Sequence, residues 1–260
     1  MTPEPRVAGE QFVQSLSRGL SVITAFDAEH AAMTLSEVAV RTDLSRATAR
    51  RFLHTLVELG YVRTDGRLFS LTPQVLRLGT AYLSGSGLPQ IAQPHLERLS
   101  AELGESTSAA VLDGADIVYV ARVATRRIMS VGITVGTRFP AYATSMGRVL
   151  LAGMTSDALD ACLAATDLVA LTPSTLHTPA DLRAEVARVR ENGWSFVDQE
   201  LEQGLRSLAV PVTDPGGRVV AALNVSASMA AGDPADFVSA ALPPLQAAAA
   251  AVSADLAHTA

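Results

Sequence analysis

The chain has 260 residues, 48% of them apolar, and a formal net charge of −6. That length supports two domains, each with its own core, and the acidity excludes a protein that binds nucleic acid over its whole surface. Any such contact must be local. The cationic side chains other than histidine are all arginine, which an alanine-rich, GC-rich coding bias explains as readily as function does. No apolar run reaches the roughly 18 residues of a membrane span, so no membrane partner is expected. The start, MTPEPRVAGEQF, lacks the apolar core of a secretory signal, and Cys162 stands alone. A single thiol cannot close an intramolecular disulfide, and a cytoplasmic protein is expected.

Residues 1–11 are polar and contain two prolines, so a disordered N-terminus is expected. From Gln14, the spacing of Leu16, Leu20, Ile23 and Phe26 predicts a first amphipathic helix. The motif TLSE, Thr34 to Glu37, is a capping box and opens a second, with Leu35, Val38 and Ala39 inward. Thr42, Asp43 and Leu44 then turn the chain into SRATARRFLHTLVELG, Ser45 to Gly60. Ser45 suits the N-cap, and Gly60 the left-handed position that stops a helix. Ala49, Phe52, Leu53, Leu56 and Leu59 form the inward stripe, while Arg46, Thr48, Arg50, Arg51 and Thr55 fall largely outside it.

Arginines near a helix N-terminus oppose the helix dipole, so they need another reason. A phosphate backbone and guanine edges would supply one; a solvated arginine-rich face is the plainer alternative. Downstream, strands over Tyr61–Thr64 and Arg67–Leu71 flank an Asp65-Gly66 turn and form a hairpin. Three helices and a hairpin make a winged helix-turn-helix over 12–72. Its expected DNA-binding residues are Ser45, Arg46, Thr48, Arg50 and Arg51 on the helix, with Arg63 and Arg67 near the wing. A linker helix and a Gly/Ser hinge follow over 73–87.

The second domain, 88–260, begins with a helix ending at Gly104. A second hairpin turns at Asp113-Gly114, and a further strand is expected over Ile128–Val135. Helices are expected from Ser145, Ser156 and Pro179, then strands over Ser195–Asp198, Leu208–Thr213 and Arg218–Ala227, then a terminal helix over Asp236–Ala257. Hairpins flanked by helices, without regular strand-helix alternation, point to an antiparallel α+β domain.

The histidines are scattered, no metal-ligand spacing or phosphate loop occurs, and no metal, cofactor or catalytic residue is assigned. Three stretches can hold a ligand. The helix opening Thr144-Ser145-Met146-Gly147-Arg148 could seat a carboxylate on its free N–H groups, with Arg148 adding charge; an ordinary N-cap is the alternative. In VDQELEQGLRS, Val197 to Ser207, an extended chain would put Asp198, Glu200 and Glu202 on one face. Such carboxylates could do acid-base work, or form a salt-bridged edge with Arg206 as partner. On the last strand Asn224, Ser226 and Ser228 alternate with Leu223, Val225 and Ala227. Small uncharged polar groups on one strand face suit a hydrogen-bonding pocket, or else a solvent face.

Taken together, FVQSLSRGLSVITAF at Phe12, PAYATSMGRVLLA at Pro140, VDQELEQGLRSLAVPV at Val197 and AALNVSAS at Ala221 resemble the IclR family of bacterial transcriptional regulators. The resemblance covers nearly the whole chain and is narrowest to the branch controlling protocatechuate, 4-hydroxybenzoate and β-ketoadipate catabolism. It implies a homodimer or tetramer on a double-stranded DNA operator, each chain joining its winged helix-turn-helix to a GAF-like antiparallel sheet with flanking helices. It also implies an effector site, for a small aromatic or dicarboxylic acid, at Ile128, Val131, Phe139, Ser145, Met146, Asp198, Ser207, Asn224 and Ser226. Two rivals remain. One is an enzyme of small carboxylic acids using Asp198 and Glu200; the other is a DNA-binding protein whose pocket takes no ligand.

Overall fold

The computed structural model describes residues 11–27, 29–85, 87–125, 132–229 and 232–258. They form two compact units that divide between Ser84 and Gly85. In the first, α1 (Gln14–Thr24), β1 (Ala32–Thr34), α2 (Leu35–Arg41) and α3 (Arg46–Glu58) precede the hairpin of β2 (Val62–Thr64) and β3 (Leu68–Leu71). The strands lie in the order β1-β3-β2, all antiparallel. A 3-10 turn at Pro73–Val75 then leads into α4 (Leu76–Gly85).

Local chemistry sets these boundaries. Thr34 ends β1 and caps α2: its hydroxyl accepts from the Glu37 N–H at 3.3 Å, while its own N–H donates to the Glu37 carboxylate at 2.7 Å. Those bonds hold the Glu37 carboxyl below its usual range. Ser45 caps α3 by accepting from the Thr48 N–H, and Gly60 at φ +80° turns the chain out of the helix.

Val22, Met33, Val38, Leu53, Leu56, Val62 and Phe69 pack as the core of this unit. Two apolar expectations are corrected. Leu16 and Leu20 are 63% and 49% exposed, because α1 enters the core only near its end, through Val22 with Ala25 and Phe26 beyond it. Leu59 is also exposed, since it lies at the C-cap where the chain leaves the helix. Strand β1, three residues long, carries no periodicity by which a sequence could announce it.

The second unit is built on a six-stranded antiparallel sheet in the order β6-β5-β4-β9-β8-β7. Its strands are β4 (Ser106–Asp113), β5 (Asp116–Val123), β6 (Arg138–Pro140), β7 (Ser195–Asp198), β8 (Leu205–Thr213) and β9 (Val219–Ser228). One face packs on α5 (Leu88–Leu103) and α9 (Pro234–Ala257). The other packs on α6 (Ser145–Ala152), α7 (Ser156–Ala164) and α8 (Pro179–Asn192). Leu223 and Val225 of β9 point to the first face, and Ala222 to the second.

The strand expected over Ile128–Val135 is corrected where it is described: residues 132–135 are not extended pairing partners, and a turn closes from the Thr137 N–H to the Thr134 carbonyl. Pairing with β5 comes later, from β6. A second correction concerns α9, whose 24 residues are long and apolar enough to cross a bilayer. Here Ala241, Leu245, Ala249 and Val252 make one buried stripe against the sheet, so the helix serves the core.

Candidate functional site

The first unit presents a basic groove between α3 and the hairpin. It is lined by Arg46, Arg50 and His54, one helical turn apart along α3, by Thr34 and Ser36 at the start of α2, and by Thr64, Gly66 and Arg67 on the hairpin. Among the described residues, Arg46, Arg50, Arg51 and Arg67 make no ion pair. Arg63 donates only to the Ser70 hydroxyl, at 3.1 Å. Ser45 and Thr48 are joined by their hydroxyls at 2.9 Å, which orders the helix start.

Not every basic residue expected at this surface converges. Arg51 lies round the helix from Arg50, and Arg63 lines a separate hollow beside Ala32, Asp65 and Ser70. His54, four residues on from Arg50, joins the groove without having been among the expected residues, although its helical spacing from Arg46 and Arg50 points to the same face. At the hairpin tip, the Asp65 carboxylate accepts from the Leu68 and Arg67 N–H groups at 2.7 and 2.9 Å. These bonds hold its carboxyl below the usual range and leave it turned into its own loop.

The second unit contains a narrow cleft between the sheet and the start of α6, with a free volume of about 20 Å³. Thr144 caps α6 by accepting from the Gly147 N–H at 3.0 Å. Position 147 must be glycine, because a Cβ there would stand 2.1 Å from the Ala141 carbonyl oxygen. That close approach brings Ser145 and Met146 to the sheet. The Ser145 hydroxyl meets that of Ser207 at 2.7 Å, and Asn224 Nδ2 donates to Ser207 and Ser226 at 2.8 and 2.9 Å. Asn224 Oδ1 is buried without a partner.

Tyr119, Ile133, Val197, Leu201 and Leu205 complete the largely apolar lining. Burial pushes the Tyr119 phenol up to about 12, so it stays protonated at neutral pH. Apolar walls with a few convergent hydroxyl and amide groups are the lining chemistry of a small-molecule site.

The nine residues implied for this site divide. Ser145, Met146, Ser207, Asn224 and Ser226 line the cleft. Phe139 stands behind the wall, edge-on to Tyr119 with ring centroids 6.0 Å apart. Asp198 is corrected: its neighbour Val197 pairs with Ser207 and faces the cleft, so alternation turns Asp198 away, onto Arg206 at 2.9 Å. Ile128 and Val131 lie outside the described residues.

The shared face of Asp198, Glu200 and Glu202 is corrected too, because β7 ends at Asp198 and Gln199 takes φ +62°. Glu200 is buried and receives Arg148 through both terminal nitrogens, while Arg148 Nε donates to the Tyr142 carbonyl at 3.0 Å. The Leu176 N–H adds a third donor to Glu200 at 2.9 Å. Arg148 therefore closes an internal ion pair and does not seat a ligand carboxylate. Among the described residues no group of acids, histidines and thiols could hold a metal.

A winged helix-turn-helix with free arginines, joined in one chain to a sheet domain with a small polar-based cleft, defines the class of ligand-responsive DNA-binding regulators. The sequence profile of the IclR helix-turn-helix domain matches residues 15–66, and that of the bacterial transcriptional regulator IclR C-terminal domain matches residues 80–254. The chain belongs to the IclR family of bacterial transcriptional regulators and is not an enzyme.

It is 53% identical to the Pca regulon regulatory protein of Pseudomonas putida, over 83% of this chain and 74% of that one. It is 36% identical to the p-hydroxybenzoate hydroxylase transcriptional activator of Acinetobacter baylyi, over 83% and 81%. Among solved structures, a transcriptional regulator from Rhodococcus sp. RHA1 superposes with a TM-score of 0.85 at 54% identity, covering 96% of this chain and 100% of that one. An IclR homologue from Microbacterium hydrocarbonoxydans complexed with 4-hydroxybenzoate superposes with a TM-score of 0.81 at 27% identity, covering 93% and 98%.

Proposed function

We propose that this regulator controls genes of aromatic-acid catabolism in the β-ketoadipate pathway and responds to a hydroxybenzoate-type acid or a dicarboxylic product of that pathway. The observation that carries the reading is the 53% identity to the Pseudomonas putida Pca regulon regulatory protein. The lining of the cleft supports it, since a polar floor of Ser145, Ser207, Asn224 and Ser226 faces an apolar wall.

Residues 12–72 are the DNA-binding domain, 73–87 the connector and 88–260 the effector domain. Arg46 and Arg50 enter the major groove of the operator with Arg51, while Arg67 and Arg63 meet its backbone or minor groove. Ser45 and Thr48 set the approach of the helix. Phosphate contacts by these arginines would fix register, and fewer side chains would read bases. The chain works in the cytoplasm as a homodimer or tetramer, so that successive grooves are engaged. The effector changes transcription by binding two arrangements of the DNA-binding domains unequally. Activation is the favoured sign.

Fluorescence anisotropy on DNA from upstream of its own gene, with protocatechuate, 4-hydroxybenzoate or β-ketoadipate added, tests this. One of the acids is expected to raise the melting temperature and change DNA binding without being consumed. No response to any of them would sink the reading.

A further inference from the structure

In the second unit, guanidiniums withdrawn from solvent are matched with acids. Arg148 pairs with Glu200 and Arg206 with Asp198. Arg122 departs from this pattern. It is half-buried, its Nη1 donates to the Ser108 hydroxyl at 2.9 Å, and its Nε is buried with no partner at all. Among the described residues no carboxylate pairs with it, and the charged or titratable group facing it is the Tyr119 phenol, whose ring centroid lies 6.0 Å from the guanidinium carbon. Burial pulls the Arg122 pKa down, and the groups that oppose it are the Tyr119 ring and the Ser108 hydroxyl, with no carboxylate among them.

The position of Arg122 follows from a β-bulge. Ala109 pairs with Ala121 and Ala110 with Tyr119, which leaves Val120 as an extra residue in β5. In a regular strand Tyr119 and Arg122 would point to opposite faces. The bulge puts Val120 and Ala121 together on the α5 and α9 side and brings Tyr119 and Arg122 to the cleft side. Along that face Arg122 pairs with Ser108, and Ser108 pairs with Asn224. The guanidinium thus leans over β4 toward the residue whose Oδ1 has no partner. The two strand spacings between Arg122 and Asn224 amount to roughly 10 Å at the backbone.

We propose that Arg122 is the anchor for the effector's carboxylate: an aromatic hydroxy acid lies across β4 beside Tyr119, its carboxylate on the Arg122 Nε and terminal nitrogens, its hydroxyl donating to Asn224 Oδ1. The proposal rests on the hydroxybenzoate reading above and gives it a direction. Both orphaned buried atoms are satisfied by one ligand, and the acid is recognised by charge at one end and a hydroxyl at the other. A ligand lacking either group leaves a buried polar atom unpaired.

Isothermal titration calorimetry on the full chain tests this with protocatechuate and 4-hydroxybenzoate, each compared with its neutral primary amide. Wild type is expected to prefer acid to amide by about tenfold or more, as a charge-assisted hydrogen bond to a buried arginine implies. Arg122→Gln should lose that preference while binding the amide within about twofold of wild type, and Arg122→Lys should restore part of it. Because each variant is judged by a ratio of two ligands, a general loss of stability does not mimic the result. If Arg122→Gln keeps the wild-type preference for the acids, the anchor assignment fails and the hydroxybenzoate reading stands. If wild type binds neither acid nor amide, the hydroxybenzoate reading falls and takes the anchor with it.

Discussion

Most described arginines of the second unit are paired with acids, and those of the first unit's groove are not. In the second, Arg138, Arg148, Arg183, Arg188, Arg206 and Arg218 each meet a carboxylate within ion-pair distance. In the first, Arg41 pairs with Asp27, and the arginines of α3 and the wing pair with none among the described residues. A guanidinium matched to an internal acid is a structural part whose charge is spent. An unmatched one in solvent is available to a polyanion, and an acidic chain that leaves several unmatched on one groove concentrates its attraction for DNA there. Composition could not have shown this, since the residue type is the same in both units.

The sharpest way to break the contrast is at the most buried pair. Glu200→Gln removes the nearer of Arg148's two counter-charges and leaves only the Glu185 carboxylate, at 3.8 Å; breaking such a buried pair costs about 3–5 kcal/mol. The melting temperature is expected to fall by roughly 10 °C, since each kcal/mol moves a domain of this size by about 2–4 °C. Calorimetry that finds Glu200→Gln within about 2 °C of wild type would show that this pair holds nothing together. The next effect is in DNA binding. Arg46→Ala and Arg50→Ala should each lower operator affinity by about tenfold or more and flatten the salt dependence by about one counterion, with the melting temperature nearly unchanged. Anisotropy titrations over a range of salt measure both, and an unchanged salt slope would remove these arginines from the interface.

How much of this was legible in the sequence follows from the range of each interaction. The capping box at Thr34 and the N-cap at Ser45 lie within a few residues of what they cap, so α2 and α3 could be placed from pattern alone. Asn224 and Ser226 could be read for a similar reason, because β9 keeps strict alternation between a helix-packed face and the cleft. Arg148 was misread because its partner, Glu200, is 52 residues away and no local pattern links them. The acid cluster failed at one backbone angle, φ +62° at Gln199, which ends the alternation that would have put three carboxylates on a line. Tyr119 escaped notice because one extra residue, Val120, reverses the face of everything before it in β5.

A smaller effect is expected where pairing occurs in solvent. Arg138 bridges Asp113 and Asp116 at the surface, at 2.7 and 3.3 Å. Arg138→Ala should cost no more than about 1 kcal/mol, and high salt should remove most of that difference, because exposed ion pairs are screened. Denaturant melts of both proteins at low and high salt measure it. A loss comparable with that of Glu200→Gln would mean that burial is not what separates structural from incidental pairs here.

The smallest effect concerns why the first unit's arginines remain free although acids stand beside them. Asp65 is two residues from Arg67, yet its carboxylate is occupied by the backbone N–H groups of Leu68 and Arg67, which hold its pKa below the ordinary 3.8. A depressed carboxyl contributes order that is fully present above its unfolded pKa and lost as pH falls through the folded value. Protection of the Arg67 and Leu68 amides, taken relative to their exchange rates in the unfolded chain, should therefore hold at neutral pH and fall as pH drops through the lowered Asp65 pKa, below 3.8. In Asp65→Asn that acid-dependent step should vanish. Operator affinity sharpens the point. Were Asp65 neutralising Arg67, removing its charge would tighten binding severalfold; with the carboxylate spent on its own loop, affinity should stay within about twofold, since a lone exposed charge is worth little. A clear tightening would mean that the wing's cation was partly cancelled after all, and that the two units differ in degree of pairing and not in kind.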